Sequence, residues 1–420
     1  MNYLNFFEVN DNSLYLDNRS LPDLAKKYGT PIIVYSKRKI VENVQKILTA
    51  FGADTISIHF SVKSNYNPTI LRILKELEVG IDAANLNEVE LAIKVGISPE
   101  KIIATPNNLS KKELEAISEK GVKINFDDIN QMKLIKDHLP KVVSYRINPG
   151  IGKGEFEGIV TGGKGSKFGM PADAAVEAYR AAKDNGCKEF GIHMMTGSNV
   201  LDPSFFKESS KLFFSIAERI SKDVGIEFEF LDLGGSLGVP YRQNEEELDI
   251  KAVAKNILTN FQESQSRGFF KQSRLIVEPG RFIIANAAVL LSTVTNIKEY
   301  DEIIVGTDAS MNSLLRIPLY GAVHPLIVAN RATEDLVETG KVTGQVCENT
   351  DVMFKSIQLP RVKVGDTIAI LNAGAYVMSM SSNYNLLKRP TELLLDGQKE
   401  TIIKREETLD DMLVTFVIPP

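Results

Sequence analysis

From Ile56 onward the chain repeats one phrase: a short β-rich apolar run, a polar or glycine-bearing end, then an amphipathic helical pattern. The eight runs are "ISIHFSVK", "VGIDAAN", "KIIATPNN", "KINFDD", "VVSYRINPG", "FGIHMMTG", "FEFLDLGG" and "RLIVEPGR". Stretches between them, such as "PTILRILKELE", "LNEVELAIKVG", "KKELEAISEKG" and "AAVEAYRAAKDNG", carry apolar residues three and four apart with charges on the other face. Eight strand–helix units over this length predict a (β/α)8 TIM-type barrel, whose chemistry sits at the C-terminal ends of the strands. Lys63, Asp82, Asn107, Asp127, Arg146, His193, Gly234 and Glu278 each fall at or near the end of a different run.

After Arg281 the helical patterns nearly stop. The stretches "NAAVLLSTVTNI", "EIIVGTDAS", "DLVETGKVTGQV", "DTIAILNAG" and "ELLLDGQKETIIKRE" predict an antiparallel β-barrel or sandwich domain, with a hairpin signal at Asp396 and Gly397. The first thirty-odd residues resemble no barrel unit and are expected to pack with that domain. The expected division is therefore an N-terminal segment at 1–38, a barrel at 39–282 and a β domain at 283–420. At 420 residues, more than one core is expected in any case.

A hydrophobic fraction of 43% is ordinary for a globular protein, and a net charge of -5 disfavours nucleic acid or an anionic membrane as partner. Small molecules are the expected ligands. Cys187 and Cys347 cannot make a disulfide framework, which suits a reducing cytoplasm. The N-terminal stretch has no basic n-region, and the longest apolar stretch, near Ile283 to Ile297, is broken by Asn286 and too short to span a bilayer. The expectation is a cytoplasmic protein with no membrane partner.

Lys63, in "HFSVKSNYN", needs a role. A lysine in a barrel mouth can lose its proton by desolvation and attack a carbonyl, or it can simply pair with a barrel carboxylate. Two other stretches bear on the choice. "LGGSLG" at 233–238 is a glycine-rich turn after the seventh run, where barrels commonly hold a phosphate on backbone N–H groups. "EPGR" at 278–281 places an acid and a glycine beside it. An amine, an acid and an anion cradle in one mouth match what pyridoxal 5'-phosphate requires, and no metal is implied.

From about Thr30 to Glu392 the chain resembles the diaminopimelate decarboxylases, of the fold-type III, alanine-racemase-like group of pyridoxal-phosphate enzymes. The resemblance is carried by "SVKSN", "GIDAANLNEVE", "INPG" with "TGGKGSKFG", "TGS", "GGSLGVPY", "EPGR", "RIPLYGAVHP", "CENTD" and "GAYVMSMSSNYN". It implies that Lys63 carries the cofactor and that Glu278 keeps the pyridine nitrogen protonated. Ser198, Gly234, Gly235, Gly280 and Tyr376 would hold the phosphate, with Asp82, His193, Met195, Ser236 and Arg281 completing the cofactor site. Arg281, Arg316, Tyr320 and Tyr376 would meet the substrate, the two arginines and Tyr320 at a distal carboxylate and Glu348 near the distal ammonium. Cys347, delivered across a homodimer interface beside Glu348, or a water it orders, would protonate the substrate carbon after CO2 leaves.

The implied reaction is conversion of meso-2,6-diaminopimelate to L-lysine. Its alternatives are decarboxylation of a related diamino acid or carboxylated polyamine, or cofactor binding without turnover by a regulator. Several positions depart from the family's pattern. Met195 stands where most relatives stack a histidine on the cofactor ring, and His193 is as well explained by a structural role as by a catalytic one. Ser236 replaces the third glycine of a triplet, where its hydroxyl could join the phosphate site or tighten the turn. Asn372 replaces a common aspartate, and "GEFEGI" lacks a histidine often found there.

Overall fold

The computed structural model describes residues 6–417 and 419, apart from 157, 159 and 164. Glu157 and Ile159 of "GEFEGI" and Lys164 of "TGGKGSKFG" therefore lie outside the described residues, as do Met1 to Asn5.

The eight apolar runs are the eight strands of a closed parallel barrel: β1 Ile56–Ser61, β2 Gly80–Ala83, β3 Ile102–Ala104, β4 Lys123–Phe126, β5 Val142–Ile147, β6 Glu189–Met194, β7 Phe228–Asp232 and β8 Arg274–Val277. They pair in sequential order, and β8 closes back onto β1 with Ile276 opposite Ser57. Crossover helices cover the outside, so the strands bury both faces; every residue of β5 is buried. Ile103, Val142, Phe230 and Ile276 form one apolar cluster within this unit.

The loops leaving the C-terminal strand ends supply the caps of the helices that follow. Asn67 accepts from the Thr69 N–H, Asn85 from Glu88, Asp202 from Ser204 and Asp249 from Ala252. Ser110 and Glu113 make a reciprocal capping box at Lys111–Glu119. Each such loop is thereby tied to a strand at one end and a capped helix at the other, and this holds strand-end side chains in place.

By its internal contacts the chain divides into two units, one of residues 42–239 and 247–283, the other of 1–41, 240–246 and 284–420. In the second unit the strand Ile32–Ser36 pairs antiparallel with Ala288–Glu299 and parallel with Thr391–Asp396. Ile303–Thr307 pairs antiparallel with Ala288–Glu299 and parallel with Glu338–Thr343. The expectation of an antiparallel domain is corrected at these two parallel pairings: nine strands form a mixed, branched sheet. Antiparallel neighbours can be joined by a tight turn, whereas a parallel pair needs a long connection. The whole barrel separates Ile32–Ser36 from Thr391–Asp396, and a segment containing the helix Arg316–Tyr320 separates the other pair.

The hairpin at the end of the sheet is present. Asp396 pairs with Lys399, so the turn residues are Gly397 and Gln398, with Gly397 at φ 59°. The N-terminal segment belongs to this unit's core: Leu14, Leu16, Leu21 and Leu24 pack in one cluster with Val289, Leu291, Ala369 and Leu393. Among the described residues no helix is long and apolar enough to cross a membrane.

Leu21 is fully buried in that cluster. Leu21→Ala is expected to destabilise the β-rich unit by about 2–5 kcal/mol, the usual range for a core leucine truncated to alanine. Urea unfolding followed by circular dichroism checks this, and a loss under about 1 kcal/mol would show the segment to be peripheral.

Candidate active site

Three ionisable side chains meet at the C-terminal ends of β6, β7 and β8. His193 Nε2 lies 3.1 Å from Glu278 Oε2, with side-chain exposures of 1% and 3%. One ligating atom from each of His193, Asp232 and Glu278 lies within 4.8 Å of the other two. Parallel pairing produces this convergence, since His193 is the register partner of Asp232 and Asp232 that of Ile276, two residues before Glu278. Burial alone would raise the pKa of Glu278. The opposing charge and hydrogen bond of His193, the charge of Lys63 and the contact with Asp232 outweigh it and bring Glu278 down to about 2. Burial, then the negative charge of Glu278, pushes Asp232 well above the usual carboxylate range. The two acids are thus shifted in opposite directions, Glu278 down and Asp232 up. Glu278 Oε1 and His193 Nδ1 have no hydrogen-bond partner among the described residues.

Lys63 follows β1 in a single 3-10 turn, Val62–Ser64. Its Nζ lies 3.2 Å from Asp82 Oδ2 at the end of β2, and its side chain is 45% exposed against 3% for Asp82. Its own chain thus pairs the lysine rather than desolvating it. Ser61 Oγ, 2.8 Å from Asp82 Oδ2 and 3.1 Å from the Glu278 carbonyl oxygen, links the two acids. Glu88, capping the same loop by accepting the Ala84 N–H at 2.7 Å, is pushed up by burial.

The glycine-rich turn after β7 is built for close approach. Gly234 has φ +67°, a Cβ on Gly235 would stand 2.6 Å from the Glu278 carbonyl oxygen, and one on Gly280 would stand 2.8 Å from Ser64 Oγ. Ser236 also has φ 67°, a conformation glycine adopts more cheaply. Its hydroxyl donates to the Gly197 carbonyl at 3.1 Å and lies 3.4 Å from Thr196 Oγ1, so it ties two loops together. The Gly235 N–H donates to Met195 Sδ at 3.1 Å, placing the thioether on this turn. Arg281, 5% exposed, donates from Nη2 to Ser198 Oγ at 3.2 Å. An amine at Lys63, a buried acid with an oxygen unpartnered among the described residues and a turn with no room for a Cβ at Gly234 and Gly235 fit pyridoxal phosphate as donor, ring-nitrogen partner and phosphate cradle.

The other expected site residues lie in the β-rich unit. Arg316 and Tyr320 are four apart on the helix Arg316–Tyr320 and so share a face. Arg316 is 2% exposed, with Nη1 2.7 Å from His324 Nε2 and its guanidinium 5.0 Å from the Tyr241 ring centroid. Cys347 is an exposed free thiol. Neighbouring Glu348 accepts from Thr350 Oγ1 at 2.7 Å and from Tyr384 OH at 2.8 Å, and these bonds, in that order, hold its carboxyl below the usual range. The loop is shaped from within: Asp351 accepts the Met311 and Val346 N–H groups at 2.7 and 2.8 Å, and Asn385 accepts the Cys347 N–H at 2.9 Å. Asn372 donates to the Pro240 carbonyl at 2.8 Å, a bond an ionised aspartate could not make, and Tyr376 sits at φ 59°. Sequence reasoning passed over Asp232, His324, Asp351 and Tyr384. Each stood inside a quoted motif, but which group it bonds is settled only by the folded chain.

Residues 37–285 match the family model described as "Pyridoxal-dependent decarboxylase, pyridoxal binding domain". The chain is 41% identical to the diaminopimelate decarboxylase of Thermoplasma acidophilum over 404 residues, 96% of each protein. It is 38% identical to that of Methanothermobacter thermautotrophicus, covering 97% of this chain and 96% of the relative. Its structure matches the crystal structure of the M. jannaschii diaminopimelate decarboxylase in complex with L-lysine at a TM-score of 0.92 and 29% identity, covering 100% and 99% of the two chains.

Because burial and Glu278 push the Asp232 carboxyl up, the neutral amide of Asp232→Asn preserves its shape and matches the protonated form. The expected change in unfolding free energy is under about 1 kcal/mol near neutral pH. If the substitution instead stabilises the protein by more than that in urea titrations, Asp232 and Glu278 were both ionised and repelling each other.

Proposed function

The chain belongs to the family of pyridoxal-dependent decarboxylases, and from that premise we propose that it converts meso-2,6-diaminopimelate to L-lysine and CO2. The observation that carries the chemistry is Glu278, 3% exposed and 3.1 Å from His193 Nε2, in a barrel mouth that also holds Lys63. The cofactor is pyridoxal 5'-phosphate. When bound, it supplies an electron sink for the pair of electrons left on the substrate carbon as CO2 departs.

The residues divide the remaining work. Lys63 would hold the cofactor through its amine, which Asp82 orients. Glu278, kept anionic by His193, would hold a proton at the ring nitrogen. Ser198, Gly234, Gly235, Gly280 and Tyr376 would bind the phosphate; the Gly234 N–H donates to Asp232 Oδ1 at 2.9 Å and the Gly235 N–H to Met195 Sδ at 3.1 Å, so these two donors would exchange partners on binding. Met195 and Ser236 would shape that turn, and Arg281, which bonds Ser198, would border it. Arg316 and Tyr320 would grip the distal carboxylate of the substrate, since a guanidinium matches a carboxylate through parallel hydrogen bonds, and Glu348 would take the distal ammonium. Cys347 Sγ would give a proton to the carbon that has lost CO2. In this reading the enzyme is a homodimer in the cytoplasm, with Lys63 of each site coming from one protomer and Cys347 with Glu348 from its partner. Exposure of Cys347 and Glu348 on a loop shaped by its own hydrogen bonds supports that assignment.

The direct test is incubation of the purified protein and pyridoxal phosphate with diaminopimelate, ornithine, lysine and arginine, measuring CO2 and product. Preferred turnover of ornithine or lysine would refute the substrate assignment. Lys63→Ala should lose both the visible absorption of the lysine-bound cofactor and turnover while keeping its circular dichroism. Normal activity in that variant would end the cofactor-lysine assignment.

Complementation tests the composite site. Lys63→Ala and Cys347→Ala homodimers should each be nearly inactive, whereas a mixed dimer collects both lesions in one site and leaves the other intact. Equal co-expression makes about half the dimers mixed by two-fold symmetry, so activity should return to roughly a quarter of wild type. Isolated mixed dimers as dead as their parents would place both residues in one chain's site.

A further inference from the structure

A buried arginine needs acceptors, and the choice of acceptor decides what charge it can still offer a ligand. Arg316 is 2% exposed, and among the described residues it forms no salt bridge with a carboxylate; its close polar contact is His324. Both contacts of the His324 ring require the same tautomer. Nδ1 lies 2.9 Å from the Leu371 carbonyl oxygen, which can only accept, so Nδ1 carries the hydrogen. Nε2 lies 2.7 Å from Arg316 Nη1, which can only donate, so Nε2 presents its lone pair. Tyr241 packs against both groups, edge-to-face with His324 at 5.1 Å and under the guanidinium at 5.0 Å.

We propose that His324 is a positioning residue for Arg316: a neutral acceptor, anchored on the Leu371 carbonyl, that fixes the plane of the guanidinium without neutralising it. An aspartate or glutamate in its place would hold the arginine as well, but would cancel the charge that an incoming carboxylate must meet. The imidazole uses one of five N–H donors and leaves the positive charge whole. Tyr241 completes the clamp, because a guanidinium resting on a ring face and bonded at one edge has little freedom to tilt. The consequence is selectivity for substrates with a distal carboxylate over those ending in an amine. This inference rests on the assignment of Arg316 to that carboxylate.

The test compares three substitutions with steady-state kinetics on the holoenzyme. Glutamine can place its amide oxygen near the position of Nε2 and keep the bond to Arg316. Asparagine can keep the donor toward Leu371 but falls short of Arg316, and leucine loses both. His324→Gln should keep KM for diaminopimelate within about threefold, whereas His324→Asn and His324→Leu should raise it roughly tenfold or more. In all three, kcat and the cofactor's visible absorption should change little. If Gln fails as badly as Leu, or if kcat falls while KM holds, the positioning role is wrong. Arg316→Met separates this inference from its premise. An unchanged KM in that variant overturns the distal-carboxylate assignment itself, whereas a raised KM there with unaffected His324 variants overturns only the role of His324.

Discussion

A carboxylate that stays ionised inside a protein must be compensated, and Glu278 is compensated by three different means at once. His193 gives it a hydrogen bond at 3.1 Å, Lys63 adds a positive charge at the mouth, and Asp232 yields as burial and Glu278 push its own carboxyl up. None of these groups is near another in sequence. They meet because β6, β7 and β8 are neighbours in a parallel barrel whose register sets His193 beside Asp232 and Asp232 beside Ile276. Side chains alternate between faces along a strand, so a one-residue slip of β7 would turn Asp232 away and leave Glu278 without its neutral neighbour. The closed topology is thus also an electrostatic device. It brings two buried acids together and drives their pKa values apart.

The barrel was legible because its strands are local signals: each of the eight is a short apolar run followed by a helical stretch, and the caps Asn67, Asn85, Ser110, Asp202 and Asp249 are visible as residue types. Strand-end residues such as Lys63 and Glu278 followed from the rule that chemistry gathers at one face. The parallel pairings of the β-rich unit were not legible. Nothing in "IIVYS" announces that its neighbours are Ala288–Glu299 and Thr391–Asp396, since β pairing at such separations is set by tertiary packing. Asp232 was missed for a related reason. In "FEFLDLGG" it reads as an ordinary strand end, and its protonation depends on Glu278, which lies one strand further on.

The β-rich unit solves a different problem, the display of polar groups that its own chain does not bury. Glu348 and Cys347 are exposed, yet their loop is not left to solvent. Asp351 closes it by taking two backbone N–H groups, Asn385 fixes the Cys347 amide, and Tyr384 with Thr350 fixes the Glu348 carboxylate. Ordering exposed side chains costs conformational entropy and gains little stability at the surface. Such order is economical only when the geometry it produces is used by something that binds there.

Two departures from the family's pattern, Met195 and Ser236, lie in the turns after β6 and β7, and each is compensated on the spot. A serine at φ 67° carries strain of about 1 kcal/mol that a glycine would avoid. The Ser236 hydroxyl offsets it by bonding the Gly197 carbonyl, joining the turn after β7 to the loop after β6. Met195 occupies the same seam, its sulfur accepting the Gly235 N–H and its flexible side chain filling space beside the turn. Neither change reaches the charge cluster, whose members are held by strand register rather than by loop side chains. The two parts of the mouth therefore answer to different constraints: the cluster depends on strand register, whereas the turn admits new side chains that bond its own loops, as Ser236 and Met195 do.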